Sequence, residues 1–263
     1  MPPRLEDPRL NSPAWLREKY HDEGLSQREI ADIVGCSKRP VNNRMEEYGI
    51  EKRPAHHLPN TLDEPFSDEF VAILDGELLG DGCLYPRYEN SRGAVYQHGT
   101  AKSAYLDWLT NLFESEGFST QRGEHMKRED REGWNDTMNY KMWTLNYTSL
   151  LNEYQRWYPN GEKRVPDDIE ISPLTLRHWY IGDGSYSVRD CGFEEIKLCT
   201  YGFTDSGRTR LVRELESAGI QTNVQGSGVL YVTADSRERF FEYMAPPPGE
   251  LEDVYGYKWG DRT

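Results

Sequence analysis

Lysine is scarce in this 263-residue chain: nine lysines stand against 22 arginines and 45 acidic residues, for a net charge of −14. Cysteine is scarce too, four in all at Cys36, Cys83, Cys191 and Cys199, and no two are spaced as C-x-x-C. That pattern argues against a zinc site and against a disulfide framework, leaving buried thiols as the expectation. Long apolar runs are missing: none approaches the ~18 residues of a membrane span. The opening MPPRLEDPRL also lacks the apolar stretch of a signal peptide, so the expectation is a cytoplasmic protein with no membrane contact. What is present, 36% hydrophobic and 12% aromatic residues, favours a folded chain over a disordered one.

A deficit of positive charge argues at first against a nucleic-acid partner. The charge is uneven, however. Residues 1–60 hold ten basic and ten acidic residues, so the whole deficit falls on residues 61–263. An acidic, lysine-poor surface suits a protein that stays hydrated in a salty cytoplasm, a halophilic pattern, so local patches decide the matter and not the total.

Residues 1–50 read as three short helices. Ser12 caps the first with Pro13 at its first position, and the helix runs to about Asp22 with Gly24 ending it. Ser26 and Glu29 form a capping box for the second, whose apolar face is Ile30, Ile33 and Val34. Gly35 breaks it, Ser37 caps the third helix, Val41, Met45 and Tyr48 make its buried stripe, and Gly49 closes it. This resembles a helix-turn-helix module, with Lys38, Arg39, Asn42, Asn43 and Arg44 displayed on the third helix. Arginine forks onto guanine, asparagine onto adenine, and lysine meets phosphate. Residues 51–65, with three prolines, read as a linker; His56 and His57 within it have no partners that would suggest a metal.

The remainder is internally repeated. ILDGELLGDGCLYPR (73–87) and LRHWYIGDGSYSVRD (176–190) each run as an apolar helix into Gly-Asp-Gly, with Asp81 and Asp183 102 residues apart. Gly117 and Gly219 lie 36 residues after their aspartates; Leu109 and Leu211 share an offset of 28, and Phe113 and Leu215 one of 32. Strand-like residues flank each copy, so each unit reads helix, two strands, helix, two strands, helix. The expectation is a duplicated α+β domain with pseudo-twofold symmetry, its halves at 66–165 and 166–263.

LDGELLGDG (74–82) and LRHWYIGDG (176–184) together resemble the paired motifs of the LAGLIDADG homing endonucleases. Similarity extends to WYPNGEKRVPDDI (157–169) and YGYKW (255–259), covering roughly residues 66–260. The resemblance implies a duplicated αββαββα fold whose two motif helices pack side by side beneath a β-saddle that holds DNA. It implies that Asp81 and Asp183 meet there and, with the carbonyls of Gly80 and Gly182, hold Mg²⁺ or Mn²⁺ for double-strand cleavage of duplex DNA by a single-chain monomer. That would account for aspartates at helix C-termini, where a carboxylate is otherwise unfavourable by ~0.3–1 kcal/mol. Lys163, with Arg164 as an alternative, and Lys258 take the positions from which the family's basic residues reach the active centre. The departures are Asp75 and Glu77, where the family prefers alanine and leucine, and His178, where a small residue is usual. Bulk and charge there are expected to loosen or re-route the helix contact.

For the groove, the candidates are Tyr85, Arg87 and Tyr88 after the first motif and Tyr186 and Arg189 after the second. Arg122, Lys127, Arg128, Lys141, Lys197, Tyr140 and Tyr201 join them, and the charged segment 124–136 reads as a long hairpin loop reaching flanking DNA. Two alternatives share the scaffold: a non-cutting transcriptional regulator, and an RNA-splicing maturase whose partner is intron RNA.

Overall fold

In a computed structural model the described residues are 7–23, 25–52, 59–62, 64–87, 91–127, 137–226 and 228–260, with the side chains of Lys127 and Thr137 excepted. Gly24, His56, His57, Tyr88 and Arg128 lie outside them, as do the side chain of Lys127 and residues 128–136 of the expected loop; residues 124–127, expected in that loop, are strand instead. The chain divides into two compact units, Met1–His57 and Leu58–Thr263. Among the described residues no helix is long and apolar enough to cross a membrane. Cys36, Cys83 and Cys199 are half-buried and Cys191 is exposed, so the expected full burial is not met.

The first unit holds α1 (Pro13–Arg17), which continues as a π-helical turn over Glu18–Asp22, then α2 (Gln27–Val34) and α3 (Lys38–Glu47). Ser12 accepts a hydrogen bond from the Trp15 amide, and Ser26 and Glu29 cap reciprocally. Gly35 ends α2 at φ +70°, in the left-handed region that favours glycine. Ser37 sits at the N-cap of α3 without a side-chain cap bond. Leu16, Tyr20, Ile30, Ala31, Val41 and Met45 are buried, joined by Leu10 and Ile50. Ile33 is 44% exposed, because the inward stripe of α2 is Gln27, Ile30 and Ala31 with Val34 packed beside it, and Ile33 falls outside that arc.

The second unit repeats one plan twice. The first copy is α4 (Asp68–Leu79), β1 (Cys83–Tyr85), β2 (Val95–Thr100), α5 (Ser103–Ser115), β3 (Thr120–Lys127), β4 (Thr137–Thr144) and α6 (Thr148–Trp157). The second is α7 (Pro173–Asp183), β5 (Gly184–Val188), β6 (Glu194–Cys199), α8 (Asp205–Ser217), β7 (Thr222–Gln225), β8 (Val229–Val232) and α9 (Arg237–Met244). Each copy makes one antiparallel sheet, ordered β1-β2-β4-β3 and β5-β6-β8-β7. This is the duplicated αββαββα plan expected from the sequence. Residues 60–62, read from sequence as linker, are tied to this unit: the Asn60 amide donates to Asn146 O at 2.7 Å, and Leu62 packs on the core.

The two motif helices lie against each other at the centre, which is why both are buried on nearly every side. Glycine permits the approach. A Cβ added at Gly76 would lie 2.5 Å from Thr175 O and 2.6 Å from His178 Cβ. Around this pair one continuous core encloses Trp157, Trp179, Trp259, Tyr96, Tyr105, Tyr180, Phe113 and Phe240.

Candidate active site

The two motif helices end together. Gly80 and Gly182 abut: a Cβ on Gly182 would stand 3.2 Å from Gly80 Cα and 3.3 Å from the Asp81 amide. Asp183 is the last residue of α7, while Asp81 lies in the turn beyond α4, closed by a 2.9 Å bond from the Gly82 amide to Glu77 O. Asp81 is exposed and Asp183 half-buried. Burial pushes the Asp183 carboxyl up to about 6, and the charge of Asp81 adds to that push against the opposing Lys163 and Lys258. Asp183 thus senses the charge of Asp81.

Each helix end carries a lysine. Lys163 Nζ donates to Gly82 O at 2.9 Å and, at the limit of bonding, to Gly80 O at 3.5 Å. Lys258 Nζ donates to Tyr180 O, Ile181 O and Gly184 O at 3.2, 2.7 and 2.7 Å. These are the last carbonyls of α7 and the first of β5, where a helix leaves acceptors unsatisfied and its dipole is negative. Burial pushes Lys258 down to about 8 and Lys163 below its ordinary value; both aspartates pull the other way. Arg164, the alternative to Lys163, pairs instead with Glu162 at 3.2 Å.

The donor set tests the expected cation directly. Among the described residues no group of three or more His, Cys, Asp or Glu is arranged for a metal. Two aspartates on neighbouring helix ends, with the helix-end carbonyls, are hard oxygen donors whose chemistry fits Mg²⁺ or Mn²⁺, with water and a phosphate completing the shell.

Strand register sorts the groove candidates. Gln97 pairs with Trp143 and Cys83, and Gln121 pairs with Trp143. The face of the first sheet turned away from the helices therefore carries Cys83, Tyr85, Gln97, Gln121, Asn139, Lys141 and Trp143. On the second sheet the equivalent face carries Ser185, Ser187, Glu195, Lys197, Asn223, Gln225 and Tyr231. Lys141, Tyr85 and Lys197 thus stand on open faces; Lys197 pairs with Glu195 at 2.5 Å and lies over the Tyr231 ring at 5.4 Å. Arg87 and Tyr201 are exposed in the turns that follow β1 and β6. Arg189 is exposed but bonds Glu195 at 2.6 Å.

Three expectations are corrected. Arg122 lies in register with buried Met142, on the helix side, and pairs with Asp107 of α5. Tyr186 pairs with buried Ile196; its hydroxyl donates to Glu194 at 2.8 Å and its ring meets Phe241 at 6.2 Å. Tyr140 packs on the core. In the first unit Lys38, Arg39 and Asn43 are exposed, whereas Asn42 donates to Glu46 at 3.0 Å and Arg44 to Glu47 at 2.7 Å. The polar residues that sequence reasoning missed are Gln97, Gln121, Asn139, Asn223 and Gln225, with Trp143, whose Nε1 donates to Gln121 Oε1 at 2.8 Å. The signal was strict alternation along β4, usable only once its partner strand was known.

The departures do not loosen the helix pair. Asp75 accepts two bonds from Arg156, at 2.6 and 3.0 Å, and a third from Trp157 Nε1 at 3.0 Å. Glu77 and His178 bond each other across the helices at 2.8 Å.

Residues 71–240 match the LAGLIDADG DNA endonuclease family. The uncharacterized protein MJ1098 of Methanocaldococcus jannaschii is 31% identical over 190 residues, 72% of each chain. The RecA protein of Mycolicibacterium fallax is 27% identical over 68% of this chain, which spans only 44% of that relative. The cytochrome b mRNA maturase bI2 of Debaryomyces hansenii is 26% identical over 70% of this chain and 72% of its own length. Among solved structures, the homing endonuclease I-WcaI bound to its DNA recognition sequence superposes with a TM-score of 0.59 at 17% identity, covering 74% of this chain and 87% of that one.

Proposed function

This chain belongs to the LAGLIDADG DNA endonuclease family, and we propose that it cuts both strands of a specific duplex DNA site with a divalent cation held between Asp81 and Asp183. The observation that supports the reading is the abutment of Gly80 and Gly182, which sets Asp81 and Asp183 on neighbouring helix ends, each end with a lysine bonded to its carbonyls. Carboxylates brought near one another at the negative ends of helices are unfavourable without a cation. Bound there, Mg²⁺ or Mn²⁺ would stabilise charge on the attacking and departing oxygens of the phosphodiester.

The chain's own groups supply the rest. Asp81 and Asp183 would hold the cation, one from each repeat, so each could serve one strand. Lys163, with one short bond to Gly82 O, has protons to turn toward a phosphate or the attacking water. The open sheet faces read the groove, with Gln97, Gln121, Asn139, Asn223 and Gln225 suited to base edges and Lys141 and Lys197 to phosphates. The N-terminal unit adds Lys38, Arg39 and Asn43 as a second DNA contact, raising the local concentration of the nuclease at its site.

The test is selection from a randomised duplex library with Mg²⁺ and with EDTA. Recovery of ends cut at one sequence only with Mg²⁺ supports the endonuclease; tight selection without cutting in either arm overturns it. The maturase relative favours a second reading, RNA splicing. Stimulated splicing of an intron from the encoding locus, without DNA cutting, would establish it instead.

A further inference from the structure

Glu77 lies one helical turn before Asp81, and its side chain is 2% exposed at the contact between the motif helices. A buried carboxylate is costly unless its lone pairs are filled. Here four donors converge on it. Tyr96 Oη donates to Oε2 at 2.7 Å and Tyr105 Oη to Oε1. His178 Nδ1 stands 2.8 Å from Oε1 and His98 Nδ1 3.0 Å from Oε2, so each imidazole donates through its Nδ1–H. An ionised carboxylate offers about four acceptor sites. All are used.

Burial alone would raise the Glu77 carboxyl, but the bonds from His178 and His98 outweigh it and hold the group well below the usual carboxylate range. Burial and the Glu77 charge push both tyrosines far up, so they remain donors. The four donors come from three elements: β2 gives Tyr96 and His98, α5 gives Tyr105, and α7 gives His178. One side chain therefore ties both repeats together. His178 reaches it because Gly76 leaves room, and Trp108 stacks on the imidazole at 5.2 Å to fix its plane.

The main chain of Glu77 completes the link. Its carbonyl accepts the Gly82 amide at 2.9 Å and so closes the turn that carries Asp81. On the other helix His178 sits one turn before Gly182, the residue that abuts Gly80. Stability alone does not explain a buried charge, since apolar packing usually does as well; the place equivalent to Glu77 in the second repeat is Trp179, fully buried. What a saturated ionic contact adds is a single allowed register.

We infer that Glu77 is a positioning residue for the cation site, its four-donor carboxylate fixing the Asp81 turn of one repeat against the Asp183 helix of the other. The inference rests on the reading of Asp81 and Asp183 as cation ligands. Its test is a Mn²⁺ titration of the full-length protein followed by electron paramagnetic resonance, with thermal unfolding of the same samples. Glu77→Gln keeps the size, removes the charge and turns an amide N–H toward a donor. It should weaken Mn²⁺ binding by about 10-fold or more, the usual effect of losing outer support around a metal. Asp75→Asn is the control: it breaks another buried ion pair of the same helix and should lower Tm while leaving Mn²⁺ affinity as in the wild type.

A Glu77→Gln protein that loses stability yet binds Mn²⁺ like the wild type overturns the positioning role. If Glu77→Gln does not fold, Tyr105→Phe removes one donor only; it should shift affinity in the same direction, and unchanged affinity overturns the inference equally. Wild-type Mn²⁺ binding that survives both Asp81→Asn and Asp183→Asn would overturn the cation site itself, a failure distinct from that of Glu77.

Discussion

Gly182 touches Gly80 so closely that a Cβ on the former would lie 3.2 Å from the Cα of the latter. The motif helices meet backbone to backbone, so the residues that follow, Asp81 and Asp183, start from neighbouring helix ends. A methyl group at Gly182 must push the helix ends apart. We expect Gly182→Ala to cost about 1–3 kcal/mol of overpacking, partly offset by its helix propensity gain of about 1 kcal/mol. Gly76→Ala should cost more, because its Cβ would fall 2.5 Å from the Thr175 carbonyl. Urea unfolding of both variants checks the order, and equal midpoints would contradict it.

The raised Asp183 carboxyl predicts a pH signature in the cation-free protein. Its folded value of about 6 lies above its ordinary 3.8, so the folded state holds the proton more tightly. The stability this contributes is complete below about 4 and is lost as pH rises through about 6. Asp183→Asn should therefore exceed the wild type in stability by on the order of 2 kcal/mol at pH 7, with the gap closing toward pH 4. A gap that does not change with pH would show that Asp183 is not strained by its surroundings.

The two lysines should differ. Lys258 spends all three protons on carbonyls and is 6% exposed, while Lys163 makes one short bond. Lys258→Met leaves buried acceptors unpaired and is expected to cost about 2 kcal/mol or more; Lys163→Met should cost about 1. Denaturation midpoints distinguish them. Equal losses would mean that Lys258 is no more a structural cap than Lys163.

Register also sorts the basic residues. Lys141→Ala and Lys197→Ala should each weaken DNA binding and reduce its salt dependence by about one counterion. Arg122→Ala should leave both unchanged, because Arg122 faces α5 and pairs with Asp107. A salt series of binding titrations provides the comparison, and a loss at Arg122 matching that at Lys141 would refute the register.

What the sequence made legible was whatever is local or repeated. Ser26 with Glu29, Pro13 after Ser12, and Gly35 between helices announce the first unit because caps and turns act within four residues. The paired Gly-Asp-Gly segments announce the duplication for the same reason. Long-range pairing was not legible. Sequence alone places Arg122 and Tyr186 in the groove because a strand's two faces cannot be told apart until its partners are known, and it passes over Gln97, Gln121 and Asn139 on the same ground. Glu77 read as a disturbance since its donors come from positions 96, 98, 105 and 178. Ile33 reads as inward from its spacing to Ile30 and Val34, but the polar Gln27 and small Ala31 share the buried arc and leave Ile33 outside it.

The most direct measurement is cleavage of a plasmid carrying the selected site, with Mg²⁺, by the wild type, Asp81→Asn and Asp183→Asn, alongside a binding titration of each. The account predicts linear product from the wild type and none from either variant, with both variants still binding the site. Linear product from either variant at the wild-type rate would contradict it.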